Sequence, residues 1–269
     1  MAIAAKDVMN LRKQTGLGMM ECKAALTETD GDIEKAKDLL RQRGLAKMDS
    51  RSDRESAEGR VRAVINDDRS KGAIIEVTTE TDFTAGNPAF GEMLDKVAAD
   101  ALAQESGEIA KTDSMQAAID EVRLTTKENV QFSRATVLGA AGSTVGSYVH
   151  FTGKNGALVE LTGDGVTDEL LADLCMHIVA MVPAPIGVRD EDVPEDLVAK
   201  EREVAKAQAI ESGKPENIAE KMVEGKVRKF YEEHVLLKQK FVKDDKKRVA
   251  DLLPDGVEVK SFARYTVGG

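Results

Sequence analysis

Between Ala4 and Thr15, Val8 and Leu11 fall on one side at helical spacing beside Arg12, and Gly16 and Gly18 then interrupt the pattern. It resumes from Met19 to Thr27, with Met20, Ala24 and Leu26 apolar. A third helical run opens at Gly31 and Asp32, carries Ile33, Ala36, Leu39 and Leu40, and is expected to stop at Gly44. These three short helices predict a minimal bundle. From Ala46 to Gly59 the residues are nearly all charged or small, which predicts a linker, with partial helix left open.

The period then changes from helical to alternating. Gly72–Thr78 (GAIIEVT) and Gly156–Thr162 (GALVELT) match in residue type at an offset of 84. Each follows a strand-like run (Val61–Asn66; Tyr148–Thr152) and a polar turn (Asp67–Lys71; Gly153–Asn155), the spacing of a β-hairpin. A helix follows each hairpin. Asn87 is placed to cap the first, with Pro88 at its first position, and Thr167 the second, with Asp168 and Glu169 in its first turn. Ala135–Leu138 and Val257–Thr266 supply a third strand to each copy, and the glycine-rich stretch Gly139–Ser147 reads as the connector between copies. The second copy is interrupted after Pro183 and Pro185. From Pro194 a thin apolar stripe of Leu197, Val204 and Gln208, then Ile218, Met222, Val227 and Phe230, turning at Ser212–Pro215, predicts a projecting antiparallel helical hairpin.

The fold class is therefore α+β. A helical module spans residues 1–50 and a linker 51–58. Two repeated small antiparallel-sheet and helix subdomains occupy 59–142 and 143–269, the second broken by a hairpin at about 194–235.

The copies differ in one telling place. From the matched threonines to the helix caps there are eight residues in the first copy (Thr79–Gly86) and four in the second (Gly163–Val166). The longer loop carries Phe83, for which two readings stand open. It plugs the layer under its sheet, or it is an exposed aromatic anchor beside Asp82.

Composition narrows the function. The chain has 269 residues, 38 Lys plus Arg against 48 Asp plus Glu for a net charge of -10, 4% aromatics and no Trp. Residues 80–128 alone carry 4 basic and 11 acidic side chains, a balance that repels phosphate backbones and favours a protein partner over nucleic acid. Cys22 and Cys175, far apart and outside any Cys-x-x-Cys, suggest neither a disulfide framework nor a zinc site. With no apolar run approaching a membrane span and no signal-like leader, the chain reads as cytoplasmic.

Chemistry is hard to place. Gly16 and Gly18 lack the third glycine of a dinucleotide loop, and no Gly-Lys-Ser/Thr follows Gly139–Ser147. His150, His177 and His234 lack metal-ligand spacing; His177, between Met176 and Ile178, reads as a satisfied helix histidine. No nucleophile–base pair or acid–base carboxylate pair stands out, so no catalytic residue, metal or cofactor is expected.

The combination of Leu11, Arg12, Thr15, Gly16, Gly18, Met19, Met20, Cys22, Lys23, Ala25 and Leu26 with Gly31–Ile33, Thr81–Phe83, Gly146–Tyr148 with His150, Met176–Ile178, and the run Ser212–Gly225 resembles the bacterial elongation factor Ts family. The resemblance covers essentially the whole chain. It implies nucleotide exchange on the GTPase elongation factor Tu, an N-terminal domain like ubiquitin-associated (UBA) modules, two related core subdomains and a coiled-coil hairpin. It also implies that Thr81, Asp82, Phe83 and Thr84 dislodge Mg²⁺ from the partner, with Phe83 inserted between helices of the GTPase domain, and that His150 makes a secondary contact. The family's Gly-Glu-Asn-Ile segment stands here as Lys127, Glu128, Asn129 and Val130, and Ser133–Arg134 replaces its basic pair. The alternative reading is a partner that stabilises or scaffolds a GTPase without changing exchange.

Overall fold

The computed structural model describes residues 3–49, 52–211, 213 and 215–269. Ala5–Thr15 (α1), Met19–Glu28 (α2) and Ile33–Asp49 (α3) pack around Val8, Leu11, Cys22, Ala25, Leu26, Ala36 and Leu40. Gly16 ends α1 in the left-handed region (φ 68), where its N–H reaches Arg12 O at 2.8 Å. Two expectations need correction. Met20 is 75% exposed and Ala24 also faces outward, because the inward stripe of α2 runs through Cys22, Ala25 and Leu26. Nor does α3 stop at Gly44. It continues to Asp49 and buries Met48, and Gly44 lies where a side chain would collide with Leu124. This glycine serves close packing rather than termination. The predicted linker therefore begins inside a helix, and its positions 50 and 51 lie outside the described residues.

Glu58–Ile65 (β1) and Gly72–Thr79 (β2) form the first predicted hairpin. The single turn Asp82–Ala85 (α4) leads into Pro88–Ala103 (α5), capped by Asn87 Oδ1 on Ala89 N at 3.0 Å. The two-residue Gly107–Glu108 (β3), helix Asp113–Thr126 (α6) and Gln131–Leu138 (β4) complete the first copy. The sheet order is β1-β2-β4-β3, antiparallel throughout. Neither α6 nor β3 has a counterpart among the predicted elements.

The first strand of the second copy begins earlier than the predicted Tyr148, at the expected boundary of 143. Ser143–Val149 (β5) takes up half of the supposed connector, because its residues pair with Gly156–Thr162 of the strand Asn155–Thr162 (β6). Asp168–Ala180 (α7) follows, capped by Thr167 Oγ1 on Leu170 N at 3.2 Å. Glu195–Glu211 (α8) and Glu216–His234 (α9) pack along one another. The inward stripe of α8 is Val198, Ala205 and Ala209, so Leu197, Val204 and Gln208 turn outward; the two alanines are small enough for close helix approach. Positions 212 and 214 of the predicted turn lie outside the described residues. Lys240–Phe241 (β7) and Asp244–Arg248 (β8) make a separate ribbon, and Glu258–Thr266 (β9) closes a sheet ordered β5-β6-β9.

The two sheets lie face to face with helices outside. In β2, Ala73, Ile75 and Val77 meet α5 and α6, while Ile74 faces the other sheet with Val61, Val145, Leu158, Ala263 and Tyr265. In β6, Ala157, Val159 and Leu161 meet α7, and Leu158 faces back. Covering on both faces explains why all eight residues of β2 are buried, the polar Glu76, Thr78 and Thr79 included.

Candidate partner-binding site

The residues that follow β2 leave the sheet at Thr79 and fold back as a helical turn. Thr81 is its N-cap, with Oγ1 accepting from Thr84 N at 3.3 Å. Asp82 and Phe83 point outward; Phe83 is 87% exposed, which excludes the plug reading. Thr84 and Ala85 turn inward and are buried. The four residues thus divide into an outward pair and an inward, supporting pair.

Support comes from the Lys127–Val130 segment, which the sequence marked only as a departure from the family's Gly-Glu-Asn-Ile pattern. Glu128 Oε2 accepts from Thr79 Oγ1 at 2.8 Å and Thr81 N at 3.1 Å, and its Oε1 accepts from Thr81 Oγ1 at 2.7 Å. Burial pushes the Glu128 carboxyl up, yet the hydrogen bonds from Thr81, Thr84 and Thr79 outweigh it and hold the pKa below the usual 4.5. Beside it, Glu80 Oε1 accepts from Asn129 N at 2.8 Å, and Asn129 Nδ2 donates to Ser52 O and Arg54 O at 3.0 and 2.7 Å. That Glu128 and Asn129 pair with Thr79–Thr81 was not legible in the sequence, because pairing across some fifty residues leaves no periodic trace.

His150 lies on the β5–β6 turn, its Nδ1 3.1 Å from Thr152 Oγ1 and its ring 4.4 Å from that of Phe151, which is 89% exposed. This turn crosses the start of β1, where Val61 N donates to Gly153 O at 2.7 Å and Lys154 pairs with Glu58 at 2.7 Å. Arg60 runs between the two loops. A Cβ on Gly153 would stand 3.2 Å from Arg60 Cδ, and one on Gly86 4.0 Å from its Nη2. The structure therefore brings Thr81–Thr84 and His150 to one end of the paired sheets, with two exposed phenylalanines. Such a surface offers apolar anchors among polar groups, suited to a protein partner.

The other histidines stand apart. His177 is fully buried; its Nε2 lies 3.0 Å from Gln239 Oε1 and its Nδ1 accepts from Val242 N at 3.2 Å. Those roles make it a neutral ring with the proton on Nε2, and burial pushes its pKa down against a smaller opposing effect of Gln239. It is a satisfied helix histidine. Burial likewise pushes the Cys175 thiol up to about 12, so it is inert at neutral pH. Among the described residues no cluster of three His, Cys, Asp or Glu is placed to hold a metal ion, and no helix is long and apolar enough to cross a membrane.

Comparison with known proteins agrees across the chain. The family model described as Elongation factor TS matches residues 80–269. The chain is 38% identical to the Elongation factor Ts of Aquifex aeolicus, with 100% of this chain and 99% of the relative covered. It is 44% identical to that of Methylococcus capsulatus, covering 100% and 93%, and 41% identical to that of Teredinibacter turnerae, covering 100% and 92%.

Proposed function

The chain belongs to the elongation factor Ts family, and from that premise we propose that it drives GDP out of elongation factor Tu with the Thr81–Thr84 turn, using Phe83 as the wedge. Membership implies a guanine-nucleotide exchange factor for elongation factor Tu in polypeptide elongation. Exchange alters a non-covalent affinity and makes or breaks no bond, so no catalytic side chain is required of this chain.

A GTPase holds GDP through backbone amides around the phosphates and through Mg²⁺, which neutralises their charge. Displacing the residues that support the ion removes an electrostatic attraction opposing phosphate departure. Burying an exposed Phe side chain is worth roughly 1.5 to 3 kcal/mol, about ten- to a hundred-fold in affinity. Asp82, adjacent and exposed, supplies a polar contact beside the wedge. His150 and its turn supply a second contact. Linkage makes the effect reciprocal: the factor by which this protein weakens GDP binding is the factor by which GDP weakens its own binding, so incoming nucleotide expels it.

Under the same reading, residues 1–50 are a UBA-like module that also touches the GTPase domain. Residues 59–142 and 143–269 are the two core subdomains, and the pair of helices within 194–235 is a coiled-coil hairpin. The acidic balance of the chain keeps the partner a protein rather than a nucleic acid.

The observation that carries this reading is an apolar ring held out in solvent on an anchored turn. Phe83→Ala is expected to leave the unfolding midpoint nearly unchanged and to slow factor-stimulated GDP release by about ten- to a hundred-fold. Stopped-flow release of fluorescent GDP from elongation factor Tu checks it; release at the wild-type rate refutes the wedge.

A further inference from the structure

We propose that Glu128 is a positioning residue for exchange: its carboxylate holds the Thr79–Thr84 backbone in the conformation that presents Phe83. The inference rests on the reading of Phe83 as the wedge.

Burial of Thr84 and Ala85 anchors the second half of the turn, and its entry and Phe83 are left to other contacts. A four-residue helix has no independent stability, because forming its first hydrogen bonds costs more conformational entropy than they return. Phe83, facing solvent, contributes no buried packing to fix it. One carboxylate instead ties down three donors. Through Thr79 Oγ1 and Thr81 N it fixes the exit from β2. Through Thr81 Oγ1 it fixes the cap that in turn accepts from Thr84 N. Bonds to an ionised acceptor are the stronger kind.

The anchor is itself held on both sides. Lys127 closes α6 in the left-handed region (φ 62), and its Nζ lies 3.8 Å from Glu21 on α2. Asn129 is fixed by Glu80 on one side and by the Ser52 and Arg54 carbonyls on the other.

The second copy provides the contrast. Its four-residue connection passes so close to the Gly256 backbone that Gly163 has no room for a side chain. Direct backbone packing fixes the short connection, and the carboxylate clamp accompanies the longer one that carries Phe83. A loop ordered before binding spares the complex the entropy of ordering it, so losing the clamp reduces productive engagement without unfolding the sheets.

The test uses Glu128→Ala and Glu128→Gln, each alone and combined with Phe83→Ala, in the full-length protein. Release of fluorescent GDP from elongation factor Tu is read by stopped flow, and amide hydrogen exchange at Thr81 and Thr84 is read in the free protein. Glu128→Ala is expected to slow release about tenfold and to speed exchange at the two amides by about tenfold or more, with Ile75 and Val137 still protected. Glu128→Gln, which keeps an acceptor for Thr79 and Thr81, is expected to restore release to within about threefold of wild type. In the Phe83→Ala background Glu128→Ala is expected to change release no further. Unchanged exchange at Thr81 and Thr84, or equal slowing in both backgrounds, overturns the proposal. Wild-type release by Phe83→Ala alone refutes the wedge instead, and the amide exchange then decides whether Glu128 orders the turn.

Discussion

The two copies of the sheet unit are alike wherever both faces of a strand are covered and unlike wherever the chain reaches solvent. Their hairpins superpose residue for residue in register: Arg62 pairs with Ile75 and Gly146 with Val159, each pair 84 positions from its counterpart. Both third strands slip at the same place. The ladder skips Ser133 beside Glu76 and Lys260 beside Glu160, and both glutamates are buried. Their partners differ. Glu76 accepts from Arg134 Nε at 2.6 Å and Gly268 N at 3.0 Å, and Glu160 from Ser261 Oγ at 2.9 Å. At the strand ends the resemblance stops. The first copy carries α4 after its second strand; the second spends its additions between α7 and β9, on two long helices and a ribbon. Additions survive where the backbone is exposed, since there they disturb neither ladder nor core.

If that division is right, the loop can be exchanged without exchanging the fold. Replacing Thr79–Gly86 by the residues of Gly163–Val166 is expected to abolish stimulated GDP release. The stability cost should be about 1–2 kcal/mol from the lost Glu128 and Thr79 bonds. Denaturant unfolding beside stopped-flow release checks both halves. A graft that still stimulates exchange would separate function from the extra turn.

A smaller effect tests the packed part of the comparison. Gly146 and Arg62 occupy equivalent positions, but a Cβ on Gly146 would stand 2.6 Å from Leu171 Cβ, whereas Arg62 reaches outward to Asp95 at 2.9 Å. Helix α7 thus lies closer to its sheet than the first copy allows. Gly146→Ala is expected to destabilise by about 2 kcal/mol through overpacking, and Arg62→Ala by no more than about 0.5 kcal/mol, since the pair is exposed. Urea midpoints of the two variants decide it; equal values would mean that the helices stand alike.

The repeat was legible because strands buried on both faces are apolar at most positions, and the same polar exceptions, Glu76 and Thr78 in GAIIEVT and Glu160 and Thr162 in GALVELT, recur in both copies. Caps at Asn87 and Thr167 were legible for a similar reason, since the chemistry of an orphan N–H is local. What escaped was set by partners distant in sequence. Gly44 looked like a helix stop until Leu124 was seen beside it, and Val204 looked inward until Ala205 and Ala209 proved to be the close-approach face. At the candidate site the exposed aromatic could be singled out as an interruption of the repeat. Its anchor Glu128 could not.

The smallest expected effect lies in what covers each helix. Ten residues past its cap, α5 places Val97 and α7 places His177, both fully buried. Val97 belongs to an apolar cluster shared with α6, but His177 meets the irregular chain at the foot of the α8–α9 pair, whose polar groups need partners. Gln239, which His177 engages, also donates to Pro183 O at 3.2 Å and Glu233 O at 2.7 Å, so the ring helps pin that foot. Its pKa is held below the usual 6.5, chiefly by burial. Between the folded value and 6.5 the unfolded chain binds a proton that the folded chain does not. This contribution is therefore complete above 6.5 and declines as pH falls towards the folded pKa. Unfolding midpoints taken from pH 8 to 5.5 should fall in that window, and His177→Gln should flatten the slope while keeping a donor and an acceptor. An identical slope in the variant would place the titrating group elsewhere and leave the two helices alike in their response to acid.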